Sequence, residues 1–140
     1  MINWFGGKNR WLSNFYSCPV TYNGITFANS EAAFQAQKAP GIASQFAKLN
    51  PSKAKALGRK VKIRKDWEEV KDQIMYEVVT AKFTQNHDLM DKLLATGDEE
   101  LIEGNDWGDM YWGYDIDYKK GLNKLGQILM RVREELRTGK

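Results

Sequence analysis

Three polar side chains in the stretch Ser30–Lys38 have helical spacing. Ser30 is a typical N-cap residue, and nothing as far as Lys38 breaks a helix. Glu31, Gln35 and Lys38 then fall on one face, at positions i, i+4 and i+7. An acid, an amide and an amine on one face could bind a polar substrate or transfer a proton. The alternative is a solvated helix face, which is the more common reason for such a stripe.

The composition of the chain fits one globular domain of ordinary size. The chain has 140 residues, of which 42% are hydrophobic and 28% charged, and we expect a single domain over residues 1–140. Five Trp, six Tyr and six Phe suggest a cleft that stacks a planar ligand, in addition to core packing. The net charge of +3 suits a phosphate-bearing substrate but is small for a protein that binds nucleic acid by charge alone.

The counts of cysteine and histidine exclude several kinds of site. Cys18 is the only cysteine, so no internal disulfide can form and we expect a cytoplasmic protein. With His87 as the only histidine, a zinc site of the usual Cys/His type is excluded, and neither residue has surroundings typical of a nucleophile or its base. No apolar run approaches the roughly 20 residues of a membrane span. We therefore expect no metal, no cofactor and no membrane association.

Local signals predict a helix-rich chain with one short hairpin. Asn23-Gly24 lies between alternating residues, which is the strongest local hairpin signal, and the hairpin leads directly into the helix at Ser30. Glycine, proline and capping residues set the bounds of the other helices. The predicted strands are residues 1–5, 18–22, 25–28 and 100–103, and the predicted helices are residues 30–38, 42–49, 53–57, 66–86, 88–95 and 124–137.

The longest predicted helix carries the core stripe. Asp66 and Glu69 have the spacing of a capping box at its start. Just before it, residues 59–65 alternate basic and apolar side chains, with Val61 and Ile63 on one side. The basic residues could clamp phosphates or form a solvated edge. The apolar stripe of the helix consists of Trp67, Val70, Ile74, Val78 and Ala81, widened by Met75, Val79 and Phe83.

Residues 104–114 form a second unusual stretch. They contain two Trp, two Tyr, two Asp and three Gly, and glycines at this density predict tight turns or a close backbone approach. With Glu103 and Asn123 added, this stretch is one of three clusters that mix polar groups with aromatic rings, the others being residues 12–15 and 31–38. Three such clusters suggest that they line a single cleft.

In the order and spacing of these residues, nearly the whole chain resembles the NADAR (YbiA-like) domain family. Each match is short, but the series is specific. The matching residues are Leu12-Ser13-Asn14-Phe15, Ser30-Glu31, Phe34-Gln35-Ala36, Lys38, Gly58-Arg59, Trp67, Met75, Lys82-Phe83, Leu94, Thr96-Gly97, Leu101-Ile102-Glu103, Asp109, Trp112-Gly113, Gly121, Asn123, Leu125-Gly126, Leu129-Met130 and Arg131 or Arg133.

This resemblance implies both a fold and an activity. The implied fold is α+β, a helix-rich single domain with a small antiparallel sheet. The implied activity is hydrolysis of N-glycosidic bonds on ribose: some members look like N-glycosidases of phosphorylated riboflavin-pathway intermediates, and others remove ADP-ribose from guanine in nucleic acid. Asp109 lies one residue further from Glu103 than the corresponding acid does in many members. We therefore expect a differently shaped loop, with Asp106 as an alternative acid.

The implied chemistry assigns catalytic roles to Glu31, Asp109 and Lys38. Cleavage builds positive charge at the anomeric carbon, so one carboxylate can stabilise that charge or activate water while an acid protonates the leaving base. We assign Glu31 and Asp109 to these roles in either order, although the helix dipole favours the charged form of Glu31. Lys38 either binds a ribose hydroxyl or phosphate, or forms a Schiff base, which requires a lowered pKa. The alternative is a surface lysine paired with a carboxylate such as Glu31.

The remaining predicted site residues would bind the substrate. Trp112 and Phe15, with Trp107, could stack on the base, and core packing is the alternative for each ring. Asn14 and Asn123 could bind sugar hydroxyls, or could serve as loop or cap residues. The predicted substrate-binding residues are Asn14, Phe15, Gln35, Trp112, Gly113 and Asn123.

Other function classes remain open at this point. A non-catalytic module that binds ADP-ribose or a nucleotide could use the same residues and would bind without turnover. A nucleic-acid-binding domain would show steep salt dependence, but residues 59–65 are the only basic run in the sequence. The expected partner is a small phosphorylated ribosyl substrate or ADP-ribosylated guanine in nucleic acid. The charge of +3 slightly favours the small substrate.

Overall fold

The computed structural model describes residues 1–139, which group into two compact units. The central unit is Asn14–His87. The terminal unit combines Met1–Ser13 with the chain from Asp88 onward. That residues 1–140 form one domain stays a prediction.

The central unit begins with the predicted hairpin. Strands β1 (Ser17–Tyr22) and β2 (Ile25–Asn29) pair in antiparallel orientation. Asn23 and Gly24 form the turn with φ values of 49° and 80°. Positive φ at both central positions is typical of a type I′ turn, whose twist matches that of the flanking strands. The Asn-Gly signal therefore predicted both the hairpin and its turn correctly.

Helices follow the hairpin within the central unit. They are α1 (Ser30–Ala36), a 3₁₀ helix (Pro40–Phe46), α2 (Pro51–Gly58) and α3 (Trp67–Gln85). Helix α1 contacts both strands as well as α2 and α3, and α3 packs on β1. Buried apolar side chains from strands and helices form the core, with Val20, Phe27, Phe46, Val78 and Phe83 all close to fully buried.

The start of α3 differs from the sequence prediction. The Asp66 carboxylate makes no capping hydrogen bond and instead accepts from Arg64 Nε at 2.6 Å and Nη2 at 3.0 Å. The predicted capping box with Glu69 is therefore wrong, because the carboxylate of Asp66 binds the neighbouring guanidinium of Arg64 instead. Residues 59–65 form turns and irregular backbone rather than a regular alternating segment, and the Ile63 side chain is 42% exposed.

The terminal unit is held together by helices and short strand pairs. Strands β3 (Gly104–Asn105) and β4 (Tyr114–Asp115) pair in parallel. The strands predicted over residues 1–5 and 100–103 are wrong: they reduce to one bridge between Ile2 and Leu101. The helices are a 3₁₀ helix (Gly7–Leu12), α4 (His87–Ala95, whose first residue belongs to the central unit) and α5 (Lys124–Thr138).

A buried arginine fixes α5 in the terminal unit. Arg133 Nη1 donates to the hydroxyl of Thr96 at 2.9 Å and to the carbonyl of Glu99 at 2.8 Å. These bonds satisfy backbone and side-chain groups just beyond α4, where regular structure has ended. The elements of both units together confirm the predicted α+β class, rich in helices with a small antiparallel sheet. Within residues 1–139, every helix is too short or too polar to cross a membrane.

Candidate functional site

Helix α1 begins with a fixed geometry at its first turn. The Asn29 side-chain oxygen accepts from the Ala32 N–H at 2.8 Å, so the N-cap is Asn29 and not Ser30 as predicted. Ser30 is instead the first residue of the helix, and its hydroxyl donates to Asn14 Oδ1 at 2.9 Å. The Asn14 carbonyl accepts from the Glu31 N–H at 3.1 Å. Asn14 therefore anchors the turn that carries Glu31.

Asn14 and Phe15 differ in exposure although they are adjacent. Asn14 is buried, and its Nδ2 donates to the Met75 sulfur at 3.4 Å. The Asn14 side chain already bonds to Ser30 and Met75. These contacts correspond to the loop role that was the alternative to binding a sugar hydroxyl. The Phe15 ring is 46% exposed, which leaves part of its surface available for a planar ligand.

Glu31 and Gln35, which were predicted to share one helix face, are in contact across one helical turn. Gln35 Nε2 donates to Glu31 Oε2 at 2.7 Å, and both side chains are buried, with 9% of Glu31 and 5% of Gln35 exposed. The solvated-face alternative is therefore wrong for these two residues. Phe34, between them in sequence, packs on Trp67 with the ring centroids 5.1 Å apart and attaches α1 to α3.

Lys38 lies in the turn that follows α1, because the helix ends at Ala36. Its N–H donates to the Gln35 carbonyl at 3.1 Å, and its own carbonyl accepts from the Arg64 N–H at 2.8 Å. The Lys38 ammonium lies 5.9 Å from the ring centroid of Trp67. This places the amine over an aromatic face, where the ring attracts its charged form.

The surroundings of Lys38 lower its pKa below the usual value. Burial is the largest cause, since it disfavours the charged form. The negative charge of Glu31 opposes this effect, whereas the positive charges of Arg59 and Lys55 lower the pKa further. The negative charge of Glu68 raises the pKa by the smallest of these effects. Desolvation or a cationic neighbour can give a lysine the lowered pKa that a Schiff-base role requires.

Lys82 is a second lysine with a lowered pKa, and it was not among the predicted site residues. Its side chain is 1% exposed, and Nζ lies 5.9 Å from the ring centroid of Tyr16 and 5.2 Å from that of Phe83. Burial lowers the pKa of Lys82 to about 8, against an opposing effect of Cys18. Its spacing from Val78 and Val79, at i+4 and i+3, places it on the buried face of α3 and could have revealed it.

Asp109 in the terminal unit binds backbone rather than side chains. Its Oδ1 accepts from the N–H groups of Tyr111 at 3.1 Å and Trp112 at 3.0 Å. Asn105 closes the loop on the other side, donating from Nδ2 to the Asp109 carbonyl at 2.8 Å and accepting the Asp109 N–H at 3.0 Å. One carboxylate oxygen of Asp109 is thus committed to shaping the loop, as side chains are in Asx turns.

Asn123 likewise holds backbone. Its Oδ1 accepts from the Glu103 N–H at 2.9 Å, and its Nδ2 donates to the Leu101 carbonyl at 3.0 Å. Asn123 has a φ of 51° and precedes α5 without capping it through its side chain. These bonds correspond to the loop role that the sequence left open for this residue.

Gly113 and Trp112 lie at a close approach of backbone segments. A Cβ on Gly113 would come within 2.6 Å of both the Glu103 carbonyl and Asn105 Nδ2, so only glycine fits. The Trp112 ring is half-buried and meets the Tyr111 ring edge-on, with centroids 4.9 Å apart. Trp107, the other stacking candidate, is 64% exposed.

The two units therefore each gather part of the predicted residue set. The central unit brings together Glu31, Gln35 and Lys38, with Asn14 at the helix start. The terminal unit holds Asp109, Trp112, Gly113 and Asn123 in one loop system. That these residues line a single cleft stays a prediction. Within residues 1–139, no group of three or more His, Cys, Asp or Glu side chains is arranged to hold a metal ion.

The chain matches the model of a known protein family. The model of the NADAR domain matches residues 4–137. The chain belongs to the NADAR domain family, as the resemblance in its motifs predicted.

Named relatives specify the class further. The chain is 42% identical to an N-glycosidase of Nostoc punctiforme, over 91% of this chain and 85% of that protein. It is 37% identical to N-glycosidase YbiA of Escherichia coli, over 97% of this chain and 88% of YbiA. The NMR structure of E. coli YbiA has a TM-score of 0.87 at 36% identity, covering 99% of this chain and 85% of that one. The chain is an enzyme of the N-glycosidase class.

One relative carries a name that refers to a pathway. A riboflavin biosynthesis protein of Vibrio vulnificus is 40% identical over 92% of this chain. The match covers 36% of that longer protein. The chain therefore corresponds to one part of the Vibrio protein.

Proposed function

We propose that this enzyme hydrolyses the ribosyl N-glycosidic bond of a small phosphorylated riboflavin-pathway intermediate. The observation that carries the proposal is the pair of a buried Glu31 and a partly buried Lys38 with a lowered pKa, at the start and just beyond the end of the same short helix. An acid and an amine of this kind suit chemistry at a sugar carbon. The name of the Vibrio relative supports the choice of substrate.

The reaction breaks one C–N bond and forms one C–O bond. The electron pair of the C–N bond leaves with the base nitrogen, which takes up a proton from one carboxyl group. Water adds to the anomeric carbon and gives its proton to the other carboxylate. We assign Glu31 and Asp109 to these two roles, with Glu31 as the group that faces the developing positive charge.

Water reaches the anomeric carbon only after Lys38 has reacted with it. The unprotonated amine of Lys38 forms a bond to the anomeric carbon as the bond to the base nitrogen breaks, and the Lys38 nitrogen then loses a proton. The electron pair of that nitrogen forms a C=N bond as the bond from the anomeric carbon to the ring oxygen breaks, and the ring oxygen takes up a proton, which gives a protonated imine of the ring-opened sugar. Water then hydrolyses the imine and returns the free amine. The lowered pKa of Lys38 raises the fraction of amine that can attack at neutral pH.

The phosphate of the substrate would meet positive charge close to Lys38. Arg59, at the C-cap of α2, and Lys55, in its last turn, both act electrostatically on Lys38. The positive charges of Arg59 and Lys55 would attract an anion bound there. The single cysteine supports our proposal that the enzyme acts in the reducing cytoplasm.

A substrate panel tests the proposal. The protein is incubated separately with riboflavin-pathway intermediates, ADP-ribosyl-guanosine and NAD, and the released base or ribose is measured. We expect turnover of a phosphorylated intermediate and a loss of about 10³-fold in Glu31→Gln, which keeps shape but removes charge. The exposed Glu69→Gln is the matched control and should retain full turnover.

Other outcomes of the panel would contradict specific parts of the proposal. Turnover of ADP-ribosyl-guanosine alone would show that the substrate is an ADP-ribosylated base. Binding without turnover of any compound would favour the non-catalytic module. Full turnover in both Glu31→Gln and Asp109→Asn would contradict the assignment of the site.

A further inference from the structure

The carboxamide of Gln35 has a defined orientation. Its Nε2 donates to Glu31 Oε2 at 2.7 Å, and since an ionised carboxylate only accepts hydrogen bonds, the amide must present its NH₂ group to Glu31. Oε1 consequently points the other way. There it is buried and has no hydrogen-bond partner among residues 1–139. A buried acceptor without a partner costs free energy, so this orientation needs a reason.

Gly58, the last residue of α2, lies against that oxygen. A Cβ on Gly58 would collide with Gln35 Oε1 and would lie 2.9 Å from Gln35 Cδ. The φ of Gly58 is outside the left-handed region, so the backbone itself does not require glycine. Alanine also favours a helix more than glycine does. The absence of a side chain at this position is therefore explained by the space that the Gln35 carboxamide occupies.

We propose that Gln35 and Gly58 are a positioning pair that holds the Glu31 carboxylate in place for the reaction. Gly58 leaves room for the Gln35 carboxamide, and Gln35 fixes Glu31 by donating to one of its oxygens. Gln35 then acts through Glu31 and does not itself bind the substrate. This inference rests on the proposed function, because it assigns a purpose to the fixed position of Glu31.

The charged groups around Glu31 define what a pH profile would report. Lys38, beyond the end of α1, acts electrostatically on Glu31. Lys55 on α2, Arg59 at its C-cap and Glu68 on α3 surround Lys38 in turn. Gln35 is uncharged, so replacing it with alanine leaves these charges as they are. Gln35→Glu adds one carboxyl group at hydrogen-bond distance from Glu31.

A double-mutant cycle tests the geometry without any substrate. Gly58→Ala should lower the melting temperature by several degrees, because the new methyl group displaces the carboxamide. In the Gln35→Ala background the same change should be neutral or stabilising, because the colliding atoms are gone and only helix propensity remains. Gly41→Ala is the matched control, since a Cβ there meets nothing within 4 Å. Equal effects of Gly58→Ala and Gly41→Ala would overturn the inference.

Kinetics distinguish a positioning role from substrate binding. With the panel substrate that the wild type turns over, Gln35→Ala should lower kcat by about 10- to 100-fold while KM stays within about twofold. Gln35→Glu should move the acid limb of the kcat/KM profile to higher pH, because two adjacent carboxyl groups resist joint ionisation. A raised KM with unchanged kcat would show that Gln35 binds the substrate, which would overturn the inference.

NMR of the Gln35 side chain separates failure of this inference from failure of the proposed function. If the wild type turns over no compound of the panel, the proposed function fails, but the amide signals still report the pair. In the wild type the Gln35 Nε2 protons should be shifted from the position of a free carboxamide, and Gly58→Ala should move them while Gly41→Ala does not. Identical signals in wild type and Gly58→Ala would overturn the inference.

Discussion

Helix α1 of the central unit and the loop 103–115 of the terminal unit contain similar residues but use them differently. In α1, Gln35 bonds to the side chain of Glu31. In the loop, Asp109 and Asn105 bond to backbone N–H and carbonyl groups. Both segments looked alike in sequence, as mixtures of acids, amides and rings.

The difference follows from the state of the backbone. In a helix the backbone groups bond to each other, so polar side chains are available to bond among themselves. In an irregular loop the backbone groups need partners, and Asn and Asp side chains supply them. Of the two segments, α1 therefore has more polar side chains available for chemistry. In the loop, some of the polar side chains are needed to maintain the shape of the backbone.

Among the substitutions that test this comparison, we expect the largest effect from Lys38. Lys38→Ala should lower turnover by about 10³-fold, because it removes the amine that attacks the sugar. Borohydride added during turnover should trap a mass adduct on Lys38 in the wild type. The exposed Lys48→Ala should keep both turnover and the adduct. Full turnover by Lys38→Ala without a trapped adduct would end the Schiff-base route.

Lys82 tests whether burial and a lowered pKa are enough to make a lysine react with the substrate. The folded protein has a Lys82 pKa of about 8, against 10.5 for an ordinary lysine. Between these values the unfolded chain keeps a proton that the folded protein has lost, so stability rises with pH across this window. The wild type should gain on the order of 3 kcal/mol in unfolding free energy relative to Lys82→Met from pH 8 to 10.5.

Urea unfolding at several pH values measures this difference, with Lys48→Met as the control that should follow the wild type. Parallel pH dependence of Lys82→Met and wild type would show that the folded protein does not lower the Lys82 pKa. Borohydride should not label Lys82, because its amine is buried away from a substrate in solvent.

Asp109 gives a smaller effect that separates its two roles. Asp109→Asn should lower turnover by about 10²-fold with unchanged stability, because the amide oxygen still accepts from the Tyr111 and Trp112 N–H groups. Asp109→Ala should also lower the unfolding free energy by about 1 kcal/mol, through loss of these bonds. Thermal unfolding and the panel assay measure the two effects, and Asp117→Asn is the exposed control. Full turnover by Asp109→Asn would leave this residue with a loop role alone.

Local sequence signals predicted the elements whose cause is local. Asn23-Gly24 specifies a turn from two residues, and the stripe along α3 follows from its own period. The shared helix face of Glu31 and Gln35 is of the same kind, since one helical turn separates them. These features needed no knowledge of distant residues.

Features that depend on distant residues were not predicted. Lys38 leaves the helix where its carbonyl accepts from the Arg64 N–H, a partner far along the chain. The fit of Gly58 to Gln35 joins two helices, and the bonds of Asn123 reach back to Leu101 and Glu103. Periodicity within one segment carries no information about such pairs.

The discontinuity of the terminal unit has a consequence for folding. The central unit is one continuous stretch, Asn14–His87, whose contacts can all form once that stretch is present. The terminal unit must join Met1–Ser13 to segments beyond Asp88, as in the bridge between Ile2 and Leu101. Bringing these two segments together costs less entropy if the central unit has already folded, because the flexible chain between them is then shorter. During synthesis, the part that carries Glu31 and Lys38 can therefore mature before the loop of Asp109 has left the ribosome.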